Sequence, residues 1–255
     1  MLTADLAADL GAALDPVLLA RRMGLEPDPW QARLLRSRAK NILVNCTRQA
    51  GKSTTCGLLA VHEALYTPGS LTLLLSPTLR QSGELFKKCL GVYRALGRPV
   101  PAESETALTL TLENGSRIVS LPGKDGSVRG YSGVDLLVID EASRVPADLY
   151  HSVRPMLAVS DGRLIAPSTP FGKRGWWSDA WHQGAGWERY EVPATDCPRI
   201  SPAFLAEERA AIGDWWFRQE FLCEFLDAES AAFRTEDIDR AFSEGVETWD
   251  LSASA

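Results

Sequence analysis

Cys46-Thr47-Arg48-Gln49-Ala50-Gly51-Lys52-Ser53-Thr54, directly after the apolar run Ile42-Leu43-Val44, reads as a strand, a tight loop and the start of a helix. Such a loop turns backbone N–H groups and the positive end of the helix dipole onto an anion. Gln49, Ala50, Gly51 and Thr54 would line the cradle. Lys52 would neutralise β- and γ-phosphates, and the Ser53 hydroxyl would hold Mg²⁺, so ATP and Mg²⁺ are the expected cofactors. The general pattern G-x-x-x-x-G-K-[ST] asks for glycine where this chain has Cys46, so G-K-S-T needs a partner elsewhere.

That partner is Leu136-Leu137-Val138-Ile139, a short apolar run suited to a strand buried on both faces, ending in Asp140-Glu141. A carboxylate at the end of such a strand can reach the Mg²⁺ shell beside the loop, and a second acid directly after it can polarise an attacking water. Taken singly, each run also fits a plainer structure: a Gly-Lys turn before a helix, or a buried strand ending in a solvated acidic turn. Together, in this order and each at a strand's carboxyl end, they predict an ATPase.

Composition narrows the rest. A chain of 255 residues with 45% apolar and 24% charged residues fits one large α/β domain with a sizeable core. The net charge of −6 gives no global basic field, so contact with nucleic acid would need a local patch. Five cysteines, at 46, 56, 89, 197 and 223, show no C-x-x-C pairing and suggest free thiols in a reducing compartment. Asp5 and Asp9 fall where a signal peptide needs apolar residues, and no run reaches membrane-spanning length. The expectation is a cytoplasmic protein with no membrane partner.

Along the chain, Asp15-Pro16 and Asp28-Pro29 are helix starts, and Gly24 closes the first of these helices after Arg21-Arg22. A helix should run from the phosphate loop to about Tyr66, followed by a buried strand over 71–76 and a helix over 79–96. Strict alternation over 108–112, then Asn114-Gly115, then Arg117-Ile118-Val119-Ser120-Leu121 predicts a hairpin, half exposed, decorating the sheet edge. The glycine-rich stretch 123–133 reads as a loop feeding the acidic strand. A helix over 147–158 and a strand over 163–166, ending at Ser168-Thr169-Pro170, follow. Strands separated by helices give a mostly parallel sheet covered on both faces, with ligands at the strands' carboxyl ends.

R-Q-A-G-K-S-T (48–54) resembles the phosphate loop in the ATPase domain of the large terminase subunit, the motor that packages DNA into the heads of tailed bacteriophages. That family's loop often lacks the first glycine and carries Arg-Gln, which accommodates Cys46. Pro29-Trp30-Gln31 resembles its adenine-sensing motif, with Gln31 as the base contact. Val128-Arg129-Gly130 resembles the segment bearing an arginine finger. Ser168-Thr169-Pro170 resembles the motif that couples hydrolysis to movement. Trp216, Gln219, Glu220 and Phe221 resemble the closing helix of the lid. The resemblance covers roughly 28–235.

It implies an α/β P-loop NTPase of the additional-strand, catalytic-glutamate type with a small C-terminal helical lid: a core over 1–192, a lid over 193–235 and a tail over 236–255. It also implies ATP-driven translocation of double-stranded DNA by a homo-oligomeric ring, a pentamer, on the portal with a small terminase subunit. The place of action would be the host cytoplasm, at the procapsid portal and outside the mature virion. Full-length large terminases carry an RNase H-like nuclease after the motor. Only about twenty residues follow Phe233, so no nuclease is expected in this chain.

In this scheme Asp140 acts on the Mg²⁺ shell and Glu141 activates water. Arg129 and Arg48 compete for the charge-stabilising role, the first from a neighbouring subunit and the second from within the loop. Gln31 also fits a surface amide at a helix start, and Ser168-Thr169 also fits a plain strand end. Trp176-Trp177 and Trp215-Trp216 fit packing better than DNA stacking. Lys87, Lys88, Arg94, Lys124, Lys173 and Arg174 fit either a DNA-backbone track or ordinary solvated surface. His62, His151 and His182 are isolated and argue no metal triad. Two other readings share these motifs: a superfamily 2-like helicase or remodelling ATPase, and a nucleotide-gated assembly scaffold with little turnover.

Overall fold

The computed structural model describes residues 2–122, 130–227 and 241. Helix α1 (Leu2–Leu14) leads into α2 (Pro16–Arg22), where the Asp15 carboxylate accepts from the Val17 N–H at 3.0 Å and Pro16 takes the first helical position. Asp28 and Pro29 likewise open α3 (Pro29–Arg36), where Gln31 completes a capping box. Strand β1 (Asn41–Cys46), α4 (Lys52–Tyr66), β2 (Leu71–Ser76) and α5 (Leu79–Ala95) then alternate. A meander of β3 (Ala102–Glu105), β4 (Thr109–Leu112) and β5 (Arg117–Pro122) precedes β6 (Leu136–Ile139) and α6 (Ala147–Val153). The remaining elements are β7 (Arg163–Ser168), α7 (Gly175–His182), β8 (Glu188–Val192), α8 (Pro202–Ile212) and α9 (Asp214–Phe221).

Among the described residues, eight strands form one sheet in the order β3-β4-β5-β2-β6-β7-β1-β8. Every pairing from β5 to β8 is parallel, and β3-β4 and β4-β5 are antiparallel. The fold is therefore the expected α/β architecture, with β7 inserted between the strand that feeds the phosphate loop and the strand that ends in Asp140. Period-two alternation assigns neighbouring side chains to opposite faces. On β1, Ile42, Val44 and Cys46 join the core under α4 and α5, whereas Leu43 joins the core under α6 and α7. On β6, Leu136 and Val138 face the first core, and Leu137 and Ile139 face the second.

Two expectations change, and two strands appear that the sequence did not mark. The hairpin does not merely decorate an edge: β5 pairs parallel with β2 along its length, and Ile118, Val119, Ser120 and Leu121 are buried. Its apolar run has enough β-branched bulk to fill both faces, so β4 and β3 carry the sheet outward instead. Strands β3 and β8 had no clear signal, because AESE is polar and exposed and ERYEV alternates charge with burial. The helix expected over 147–158 stops at Val153 and tightens into a 3₁₀ turn, Arg154–Leu157, where Pro155 cannot donate to the ladder. Among the described residues no helix is long and apolar enough to cross a membrane.

Candidate functional site

The parallel strands β1, β6 and β7 all end on the same side of the sheet, and their ends build the site. Strand β1 runs into a loop in which Gln49 (φ 59°) and Gly51 (φ 95°) are left-handed, which lets the chain reverse into α4 within a few residues of Cys46. Gly51 is fixed twice over, because a Cβ there would lie 2.5 Å from Gln31 Nε2. Its carbonyl accepts from both the N–H and the hydroxyl of Thr55, at 3.0 and 3.1 Å. Lys52 is buried, and its ammonium donates to the carbonyls of Cys46 (2.9 Å) and Thr47 (3.2 Å), which leaves one of its three N–H groups to spare.

Cys46, the departure from the general pattern, is a strand residue fully inside the core, its thiol pushed up to about 12 by burial. The position faces the core and not the cavity beside the loop.

Asp140 follows β6 directly and is 7% exposed. Oδ1 accepts from the Glu141 N–H at 3.1 Å, and Oδ2 lies 3.5 Å from the Ser53 hydroxyl. Burial pushes its carboxyl up to about 6, and the neighbouring Glu141 charge adds to this while Lys52 opposes it. Glu141 adopts a left-handed conformation (φ 51°) and opens a 3₁₀ turn, Ala142–Arg144. Within that turn Ser143 touches the end of β7. Its N–H donates to Ser168 Oγ (3.1 Å), its hydroxyl accepts from Ser168 (2.8 Å), and it donates to the Thr169 carbonyl (2.8 Å).

Arg48 points to α9, donating from Nε to Glu220 at 2.6 Å, and Arg144 approaches the same carboxylate at 3.5 Å. Gln31 reaches the loop itself. Its Oε1 accepts from the Asp28 N–H (2.9 Å), and its Nε2 donates to the Ala50 carbonyl (3.2 Å). A cavity of about 480 Å³ is lined by Arg48, Gln49, Gly51, Lys52, Ser53, Thr54, Glu141 and Arg144 among others. A second, of about 630 Å³, adjoins it at Ser53, Asp140 and Glu141 and extends to Arg80 and Lys88 at α5. Apart from Arg129, which lies outside the described residues, the candidate residues gather at these strand ends and the loop.

Several contributors carried no sequence signal. Arg199 bonds to Asp28 across 171 positions and also donates to Ala50. Arg144 and Gln81 line the cavity, and Glu220 stood in the lid pattern without an ionic role. The tryptophan pair at 176 and 177 is core, each indole donating to a carbonyl, of Val145 and Ala166, at 3.0 Å. Trp215 donates to the Asp227 carbonyl, and Trp216 is exposed. Of the cations offered as a DNA track, Lys87 pairs with Glu84, Arg94 with Glu105 and Lys173 with Asp227, while Arg174 stacks on Phe171. Lys88 lines both cavities, and Lys124 lies outside the described residues.

Residues 44–240 match the family described as terminase large subunit, T4-like virus type, N-terminal. The chain belongs to this terminase family. The large terminase subunit of Thermus virus P23-45 is 26% identical over 254 residues, covering 85% of this chain and 52% of that protein. The chain thus spans about half the length of the curated terminases it matches. In fold it is similar to the large terminase ATPase domain of Thermus phage P74-26, with a TM-score of 0.72 at 24% identity, covering 81% of this chain and 97% of that one. It is also similar to a large terminase of a thermophilic bacteriophage solved in complex with ATP-gamma-S (TM-score 0.60, 14% identity, 78% of this chain and 52% of that one).

Proposed function

We propose that this chain is the ATP-hydrolysing motor part of a large terminase, driving double-stranded DNA into a procapsid. The observation that carries the reading is the convergence of Lys52-Ser53, at the end of β1, with Asp140-Glu141, at the end of β6, on adjoining cavities. The thermophilic phage terminase in complex with ATP-gamma-S, a protein of similar fold, supports nucleotide binding as the role of this architecture.

Lys52 supplies its free N–H to the terminal phosphates. Gln49, Ala50, Gly51 and Thr54 shape the loop around them, and Gln31 stands on the adenine side. Ser53 and Asp140 suit a divalent cation: a buried carboxylate whose partners are a hydroxyl and a backbone N–H is a poor place for a lone negative charge. Mg²⁺ bound there would neutralise phosphate oxygens. Glu141, half-buried and held by its turn, orients and deprotonates the attacking water. Arg48, released from Glu220, or Arg129 of an adjacent subunit would stabilise transferred charge. Ser143 passes the state of Glu141 to Ser168 and Thr169, the coupling residues. Residues 193–235 act as the lid over a core of 1–192, and within the lid Ala194, Leu205 and Phe217 form a small apolar cluster. The working form would be a ring, a pentamer, on the portal with a small terminase subunit in the host cytoplasm.

The test is ATP turnover measured against protein concentration and DNA, with Glu141→Gln as the paired variant. Turnover should rise steeply with either addition, and Glu141→Gln should lose roughly 10²–10³-fold in rate while still binding nucleotide. Turnover insensitive to both additions would sink the motor reading, and strand unwinding by the chain alone would favour a helicase.

A further inference from the structure

The segment that leaves β8 passes beside the phosphate loop: the Thr47 N–H donates to the Val192 carbonyl at 3.0 Å, and a 3₁₀ turn, Ala194–Asp196, then carries the chain to Arg199. The Arg199 guanidinium makes a two-pronged contact with Asp28, Nη1 to Oδ1 at 2.8 Å and Nη2 to Oδ2 at 2.7 Å. Nη2 also donates to the Ala50 carbonyl at 3.0 Å, so this oxygen has two donors, Arg199 and Gln31. Asp28 in turn holds Gln31 through its backbone N–H. The next residue, Ile200, packs against both the main core and the small α8–α9 cluster.

A trans peptide places its C=O and the following N–H on opposite sides of one plane. Two donors that hold the Ala50 oxygen on the Gln31–Arg199 side therefore hold the Gly51 N–H on the other, and Gly51 lines the phosphate cavity. Gly51 needs this restraint, because its φ of 95° belongs to a backbone with many alternatives at glycine. If the peptide flipped, the cradle would present a carbonyl oxygen where it must present a donor.

We infer that Arg199 is a positioning residue for the phosphate loop, locking the Ala50–Gly51 peptide in its anion-binding orientation from the hinge that leads to α8. The inference rests on the ATPase reading of the loop. Because the next residue, Ile200, packs against both the main core and the α8–α9 cluster, a shift of α8 and α9 loosens or tightens this lock, and nucleotide affinity follows the lid without direct contact. Asp28 keeps the fork aimed, which a lysine could not replace, since an ammonium cannot engage both carboxylate oxygens and the carbonyl with one planar group.

The test is equilibrium binding of a fluorescent ADP analogue, with steady-state hydrolysis, for the wild type, Arg199→Ala, Arg199→Lys, Gln31→Ala and the Arg199→Ala/Gln31→Ala double variant. Arg199→Ala should weaken binding roughly tenfold, and Arg199→Lys should recover only part of it. KM should carry the change and kcat should move less. Because either donor alone holds part of the lock, the double variant should lose more than the product of the two single losses. A merely structural ion pair would lower the melting temperature and leave affinity and this coupling unchanged, and that result overturns the inference. If Arg199→Ala fails to fold, Arg199→Lys and Gln31→Ala decide the matter: wild-type affinity in the lysine variant overturns it. A wild type that binds no nucleotide would instead overturn the ATPase reading itself.

Discussion

Replacing Asp140 by asparagine should make the nucleotide-free protein more stable while removing hydrolysis, and the structure sets the size of the gain. The Asp140 carboxyl, 3.8 in a free chain, is raised to about 6 in the fold, first by burial and then by Glu141. Between those values the folded state holds a proton that the unfolded state has lost, so this group's contribution falls as pH rises through the window and is fully unfavourable above it. About two units correspond to ~3 kcal/mol at pH 7.5, vanishing near pH 4. In a chain of this length that is on the order of 5–10 °C in melting temperature. Asparagine keeps the shape: its oxygen can accept from the Glu141 N–H and its amide can donate to the Ser53 hydroxyl. Urea unfolding of both proteins at half-unit steps from pH 4 to 8, without metal or nucleotide, isolates the group as the difference between two curves. Magnesium with nucleotide should close the gap by stabilising only the wild type. A difference that is flat across this range, or an asparagine variant less stable at pH 7.5, would refute the claim that an uncompensated buried carboxylate sits here.

Two further substitutions probe the loop. Cys46→Gly restores the general phosphate-loop pattern but removes a buried thiol from the core, so it should cost roughly 2–3 kcal/mol in denaturant unfolding and leave nucleotide affinity within about twofold. Tighter binding at undiminished stability would show instead that the position faces the anion. Gly51→Ala should abolish nucleotide binding, because alanine meets both the left-handed backbone and Gln31 Nε2. Adding Gln31→Ala should relieve the contact but not the backbone strain of about 1–2 kcal/mol, so binding should recover part of the way to the level of Gln31→Ala alone in a titration. Recovery all the way to that level would mean that the contact alone excludes a side chain.

The centre of the sheet was legible because its signals are local. Runs such as LTLLLS and LLVI are apolar on both faces and flanked by turn residues, so strand identity and burial follow from a short window of sequence. The same rule misjudged the hairpin. Alternation in β4 was real, but β5 shares its turn and not its environment, and its placement against β2 is decided by a strand far earlier in the chain. The edges β3 and β8 escaped for the opposite reason: half-exposed strands with charged outward residues look like loops until the neighbour that pairs with them is known.

The site divides along the same line. Lys52, Ser53, Asp140 and Glu141 announce themselves because each sits at the end of a strand that the sequence already marks, and strand order brings the ends together. What the sequence conceals is the shell that holds the loop in shape. Ala50 is held by Gln31 and Arg199, and Thr47 by the Val192 and Glu220 carbonyls. Arg48 is held by the Glu220 carboxylate. Each of these is a bond between segments remote in sequence, made by residue types that are common on any surface. The loop has two left-handed residues and one buried ammonium, a conformation with little intrinsic preference, so its shape has to be imposed from outside. The restraints come from the entry to α3 and from the stretch between β8 and the end of α9. A loop gripped in this way cannot change shape without disturbing α9, and α9 cannot shift without altering the loop. That reciprocity is a property of the packing, and on the proposed ATPase reading it is the path by which phosphate chemistry at the end of β1 would become movement elsewhere.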